Sequence, residues 1–173
     1  YGNRFSIILR ALDKSNDIVV SACDALEKSG FINYYGLQRF GKGAYSSSDI
    51  GRSIFRTEYK EAVQMLFAPN PDIDKEDVLR AKSLYSSGDL VEALKCTPPS
   101  MHAEHAVLKS LNRNKTDYLA AFESIAKGVR LIYVHAYQSL LWNKAVSKRI
   151  DSYGLQVMVG DLIVKRDFES SNS

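Results

Sequence analysis

The sequence predicts an α+β fold that is predominantly helical, and three observations carry that prediction. Residues 4–12 alternate apolar and polar side chains with the period of two that marks a half-buried strand. From residue 17 onward apolar side chains recur mostly at helical spacing, broken by Gly30, by Pro69-Asn70-Pro71 and by Pro98-Pro99. Near the end, residues 155–158 and 161–164 return to short apolar runs around Gly160, which read as two further strands.

Each element has a local reason. In residues 4–12, Phe5, Ile7, Leu9 and Ala11 occupy one face and Arg4, Ser6 and Arg10 the other, with Ile8 the exception. Asp13-Lys14-Ser15-Asn16 turns the chain into a helix over 17–29, whose apolar positions are Val19, Ala22, Cys23 and Leu26 and whose stop is Gly30. Ser46–Ser48 caps a short helix through about Phe55, and a second runs over 58–67. Asp72 or Asp74 is expected to cap a helix through Tyr85, and a short helix over 89–95 follows. Ser100 starts a helix to Leu111 and Thr116 one to Ile125. The longest helix covers 129–150, with Leu131, Val134, Leu141, Ala145 and Val146 on its apolar face. Residues 168–173 form a polar tail.

At 173 residues the chain is one large domain or two small ones. Hydrophobic residues at 45% and charged residues at 25% give an ordinary globular balance, and no apolar run has membrane-spanning length. No secretory leader opens the chain and no initiator Met precedes Tyr1, which predicts a piece of a longer intracellular protein, nuclear or cytoplasmic. Cys23 and Cys96 lie far apart, as suits a reducing compartment. The net charge of +3 is unevenly spread. Residues 36–56 hold Arg39, Lys42, Arg52 and Arg56 against Asp49 alone, and residues 129–150 hold Arg130, Lys144, Lys148 and Arg149 against no acid. Acids gather between Asp72 and Glu92, so one side is expected to be basic and another acidic.

Several chemistries find no foothold. His102 and His105 sit at i, i+3 without an HExxH pattern or a nearby cysteine, so no metal site is expected. Gly36, Gly41 and Lys42 have P-loop spacing, but Gly43 stands where the loop needs Ser or Thr. No GxSxG appears, and no carboxylate among Asp13, Asp17, Asp24, Asp49 and Asp161 stands out as a catalytic group. Asn3 and Phe5 at the strand entry could orient a carboxylate and stack on a base; equally, they suit a polar strand end and a core phenylalanine.

The richest stretch is FINYYGLQRFGK over residues 31–42. Aromatic faces stack nucleobases, Arg and Gln read phosphates or base edges, and Gly36 and Gly41 permit tight turns or close approach of a ligand. An equally simple reading is a domain seam filled by Tyr34, Tyr35 and Phe40, with Arg39 paired to an acid.

GFINYYGLQRFG over 30–41 closely resembles the signature of the TruD-type pseudouridine synthases. GNRF over 2–5 is similar to the family's GNxF strand entry, and YQSLLWN over 137–143 with VSKRI over 146–150 resembles its long-helix motif. YQSLLWN and Gly160-Asp161-Leu162 resemble the eukaryotic branch. The resemblance implies an enzyme that converts uridine to pseudouridine in RNA without metal or organic cofactor, acting on tRNA first, with mRNA or snRNA as the alternatives, as a monomer and without a membrane. It implies supporting catalytic roles for Asn3 and Phe5, the former near the catalytic carboxylate and the latter against the target uracil. The RNA-facing residues would be Tyr34, Gln38, Arg39, Phe40, Arg52, Arg56, Lys144 and Lys148. Residues 1–35 would be the edge of a mixed-sheet catalytic core and residues 36–173 a mainly helical TRUD-type insertion domain. The family's catalytic aspartate belongs to a GxKD-type motif, and no segment of this chain matches it. The chain alone is therefore expected to be inactive. The competing expectation is a non-catalytic RNA-binding or interaction module on the same scaffold.

Overall fold

The computed structural model describes residues 4–162. Its regular elements are helices: α1 (Asn16–Ser29), a single 3-10 turn (Leu37–Arg39), α2 (Ser47–Phe55), α3 (Tyr59–Leu66), α4 (Glu76–Ser86), α5 (Leu90–Cys96), α6 (His102–Leu111), α7 (Tyr118–Glu123) and α8 (Lys127–Tyr153). None of the helices among the described residues is long and apolar enough to cross a membrane.

The expected strands do not form among the described residues. Residues 4–12 and 155–158 make no ladder, and Phe5, Ile7, Ile8 and Leu9 are all largely exposed. Alternation is a property of the local sequence, but a strand exists only through hydrogen bonds to a neighbouring strand, which local sequence cannot provide. Of the expected strand over 161–164, Asp161 closes a turn by donating its N–H to the Met158 carbonyl at 3.0 Å. Residues 163–164 and the tail over 168–173 lie outside the described residues.

The chain divides into two compact units, the first ending at Tyr34 and the second beginning at Tyr35. In the first, α1 stops at Gly30, whose φ of 68° lets its N–H return to the Leu26 carbonyl at 2.8 Å. No residue of α1 is buried, and Ile18, Val20 and Leu26 are more than half exposed.

Among the described residues the second unit holds seven α-helices, and their ends follow from side-chain capping where a cap is present. Ser46 and Asp49 form a reciprocal capping box at the start of α2. Asp89 caps α5 and Asp117 caps α7, each through its carboxylate. The start of α4 departs from expectation: neither Asp72 nor Asp74 caps it, and Lys75 precedes its first residue. Asp74 is diverted inward, accepting from the Asn70 N–H at 2.8 Å and from the buried Lys82 Nζ at 2.7 Å. Lys82 also donates to the Ala68 carbonyl at 3.0 Å, so one ammonium ties the 68–74 loop to α4.

Neighbour packing runs in the order α8, α2, α3, α7, α6, α5, α4. The core is a continuous cluster of Ile50, Ala62, Val63, Leu66, Phe67, Leu90, Ala93, Val107, Leu108, Leu111, Ala121, Phe122 and Ile125. Phe67 stacks on Tyr85 at 4.0 Å between centroids, and Phe122 lies between Tyr59 and Tyr133. Glu104 is held above its ordinary carboxyl pKa by burial, which outweighs the nearby Lys82 charge. Burial and the adjacent Glu104 raise the Tyr133 phenol to about 12.

α2 and α8 cross very closely. A Cβ added at Gly51 would sit 2.2 Å from the Tyr133 carbonyl oxygen and 2.9 Å from Tyr137 Cβ. Ser48, three residues before Gly51 on α2, and Ala136 and Ser139 on α8 are also small and buried. Ser139 satisfies its buried hydroxyl by donating to the His135 carbonyl at 2.7 Å. The close crossing brings the two basic segments, 36–56 and 129–150, side by side.

Candidate nucleic-acid interface

The second unit begins with a bond between two of the sequence motifs. Asn143, the last residue of YQSLLWN, accepts the Tyr35 N–H on Oδ1 at 2.9 Å and donates from Nδ2 to the Tyr35 carbonyl at 2.9 Å. The side-chain amide thus pairs with one backbone residue as a neighbouring strand would. Ile132, Ala136, Ser139 and Asn143 lie on one stripe of α8 by helical spacing, and that stripe carries the segment that follows Tyr35.

From this anchor the chain makes the 3-10 turn. Arg39 donates its N–H to the Gly36 carbonyl and Phe40 to the Leu37 carbonyl, each at 3.0 Å. The Arg39 guanidinium lies over the Tyr35 ring at 5.3 Å, within cation–π range. Gly41, with φ of 73°, turns the chain so that the Ser47 N–H returns to the Phe40 carbonyl at 2.7 Å and α2 begins. Tyr35, Gly36, Gln38, Arg39 and Ile132 line an open cleft of about 460 Å³.

The predicted residues fall as follows. Asn3 lies outside the described residues. Phe5 and Tyr34 belong to the first unit, Phe5 77% and Tyr34 42% exposed. Gln38 and Arg39 are exposed on the 3-10 turn, and Phe40 is half-buried at its end. Arg52 is exposed on α2, and Arg56, just beyond the helix, forms an ion pair with Glu58 at 3.2 Å. Lys144 and Lys148, both exposed, lie one turn apart on a stripe of α8 that includes Tyr137, whose ring packs on Phe55 at 5.3 Å.

The pairing of Arg39 with an acid, part of the seam alternative, is not found among the described residues; its partner there is the Tyr35 ring. Of the two uses expected of Gly36, a tight turn is not one that needs glycine, because its φ of −76° is open to any residue. Arg149, counted among the basic residues, is absorbed by the fold. It grips Asp161 with two nitrogens, donates to the Gly154 and Gln156 carbonyls and lies over Tyr153. Those guanidinium bonds, with the Met158 N–H, draw the Asp161 carboxyl down to about 2. Of two residues central to the site, the sequence suggested Tyr35 only as a side chain filling a domain seam, and it suggested no role for the Asn143 amide. The signal was present, since both lie inside recognised motifs, but nothing local links positions 108 apart.

Comparison with known proteins shows the family. The family described as tRNA pseudouridine synthase D (TruD) matches residues 1–173. The multisubstrate pseudouridine synthase 7 of Schizosaccharomyces pombe is 39% identical over 165 residues, covering 94% of this chain and 24% of that protein. The human pseudouridylate synthase 7 homolog is 35% identical, covering 95% of this chain and 25% of that protein. The tRNA pseudouridine synthase D of Geotalea daltonii is 32% identical, covering 96% and 42% respectively. A crystal structure of the putative TruD of Methanosarcina mazei superposes with a TM-score of 0.70 at 25% identity, covering 83% of this chain and 34% of that one. The chain thus spans about a quarter of the length of the eukaryotic relatives it matches.

Proposed function

The chain belongs to the TruD family of pseudouridine synthases, and from that premise we propose that it supplies an RNA-facing part of an enzyme that isomerises uridine to pseudouridine in RNA. The observation that carries this reading is the Tyr35–Asn143 clamp, which joins two family motifs and leaves Gln38 and Arg39 exposed beside a cleft.

In such a reaction the uracil is released from the ribose, turned and rejoined through carbon, and the target nucleotide must first leave its stack. The residues of this chain serve recognition. Arg39 presents a flat cation already braced by Tyr35, Gln38 offers an amide, and Tyr34 and Phe40 offer aromatic faces. Arg52, Arg56, Lys144 and Lys148 act on phosphates as the positive rim, which positions RNA without reading its sequence. Asn3 and Phe5 have the supporting catalytic roles, Asn3 orienting the carboxylate and Phe5 packing on the uracil. The aspartate that reacts with the nucleotide is not among these residues, so this chain alone does not turn over uridine, and tRNA is its favoured substrate class.

The test is tritium release from RNA carrying 5-tritiated uridine, with the full-length protein. Turnover by the wild type is expected, with Phe5→Ala and Asn3→Ala losing at least about tenfold in kcat/KM, about 1.4 kcal/mol of transition-state binding. Wild-type turnover in both variants, at unchanged circular dichroism, would remove them from the site. Absence of turnover by the wild type on any RNA would refute the activity itself.

A further inference from the structure

The cleft beside the 3-10 turn contains a glycine that the fold does not use. Glycine is required where φ is left-handed or where a side chain would collide. Gly36 meets neither condition: its φ is −76°, its ψ is 171°, and an added Cβ would find nothing within 4 Å. Gly51, by contrast, has no room for a side chain at all. A glycine also costs conformational entropy on folding, so an unneeded one in an ordered turn is a small liability. The empty space at Gly36 is that of the cleft, between Tyr35 with its covering Arg39, Gln38 and Ile132.

We infer that this cleft is a seat for one RNA nucleotide, that the bare backbone at Gly36 is its floor, and that Asn143 is the positioning residue that holds the seat in shape. The inference rests on the proposed RNA pseudouridylation and extends it to a defined subsite. The chemistry suits one nucleotide unit. A volume of about 460 Å³ is within the range of small-ligand clefts. The Arg39 guanidinium, held over the Tyr35 ring at 5.3 Å, can offer a face to a base or its N–H edge to a phosphate. Gln38 adds an amide that can pair with a base edge, and Ile132 supplies an apolar wall. Without a Cβ at Gly36, sugar or base can contact the main chain directly. Asn143 acts through Tyr35 only: with both backbone groups of Tyr35 tied to α8, the turn is ordered before RNA arrives, and that ordering cost does not fall on binding.

The experiment uses the full-length protein, a fluorescein-labelled RNA that the wild type modifies, and a matched series of Gly36→Ala, Gly36→Val, Asn143→Ala and Arg39→Ala. Gly36→Ala and Gly36→Val are expected to melt no lower than wild type, because the backbone accommodates both. Their Kd for RNA should rise in order of side-chain size, by about tenfold for Val, with the loss falling on KM rather than kcat. Asn143→Ala should also raise Kd, and its effect should shrink in an Arg39→Ala background, since both act on one seat. If both Gly36 variants bind RNA as wild type does, the seat is overturned. If Asn143→Ala lowers the melting temperature but its binding loss simply adds to that of Arg39→Ala, Asn143 is structural and the positioning role is overturned. Failure of the wild type to bind or turn over RNA is a different result, and it would overturn the proposed function on which the seat depends.

Discussion

The α2–α8 crossing makes a sharp prediction at Gly51. In Gly51→Ala the new methyl would lie 2.2 Å from the Tyr133 carbonyl oxygen and 2.9 Å from both the Tyr133 carbonyl carbon and Tyr137 Cβ. Carbon–oxygen contacts close at about 3.3–3.6 Å, so the helices must part by roughly 1 Å. Two of the three obstructing atoms are backbone, and no rotamer change relieves them. Alanine gains up to about 1 kcal/mol in helix propensity. Overpacking of this kind costs about 1–3 kcal/mol, and parting the helices also loosens the contacts of buried Ser48, Ile50, Ser53, Ala136 and Ser139. The net expectation is a loss of about 2 kcal/mol, or a urea midpoint lower by about 1 M for a slope near 2 kcal/mol/M. Trp142, the single tryptophan, is half-exposed on α8 and reports the transition by fluorescence. Gly128→Ala is the control, since α8 has nothing within 4 Å of that position; it should stabilise by about 0.4–1 kcal/mol. Should Gly51→Ala prove as stable as wild type, α2 and α8 do not cross as described, and the juxtaposition of the basic segments fails with it.

Four further expectations follow from the charges. Lys82→Met leaves Asp74, with only 14% of its side chain exposed, facing an apolar group and orphans the Ala68 carbonyl; stability should fall by about 3 kcal/mol in urea denaturation, and no loss would mean that the pair contributes nothing. Glu104→Gln should stabilise, by nothing in acid and increasingly as pH rises from the ordinary carboxyl value through the raised one, because only the charged form is penalised in the fold; a gain equal at pH 4 and pH 8 would refute burial as its cause. Asp74 has the opposite sign: burial pushes it up, but the Lys82 and Asn70 hydrogen bonds and the Lys82 charge outweigh this, so its contribution is present above about 3.8 and lost as pH falls through the lowered value. Charge reversal of Arg52 and Arg56 should weaken RNA binding in the full-length protein and flatten its salt dependence, whereas an unchanged slope of log Kd against log salt would show that neither meets phosphate.

The helices were legible because their signals are local. Apolar spacing located the eight α-helices of the described residues, and start signals such as Ser46, Asp89 and Thr116 fell within a residue or two of the observed starts. Errors occur where one side chain had a choice of partners. Asp74 looked like a cap, but a buried ammonium eight positions on offered a stronger bond than a helix N-terminus does. Arg149 looked like a free cation, but Asp161 and two carbonyls engage it. The strands failed for a different reason, since alternation at residues 4–12 fixes which faces could be buried and is silent on what would bury them. The site was half legible: its residue types were visible in FINYYGLQRFGK, and its anchor was not.

The two readings of that stretch, RNA contact and domain seam, divide between backbone and side chain. At Tyr35 the main chain is structural, since both its polar groups are spent on Asn143 at the point where the second unit begins. The side chains that follow serve no core: Leu37, Gln38 and Arg39 are exposed, and Arg39 is braced by a ring and by no acid. A segment anchored through Tyr35 with its planar groups outward has met part of the cost of ordering before any ligand arrives. Such an arrangement suits recognition of splayed nucleotides, where affinity depends on flat groups that do not have to be immobilised on binding. It also explains why the long helix carries a motif of its own. α8 must present Asn143 to Tyr35 and, about ten residues earlier, accept Gly51 against its backbone. Polar anchoring at one level and close packing at the other are jointly what set the turn, α2 and the basic stripe of α8 in register.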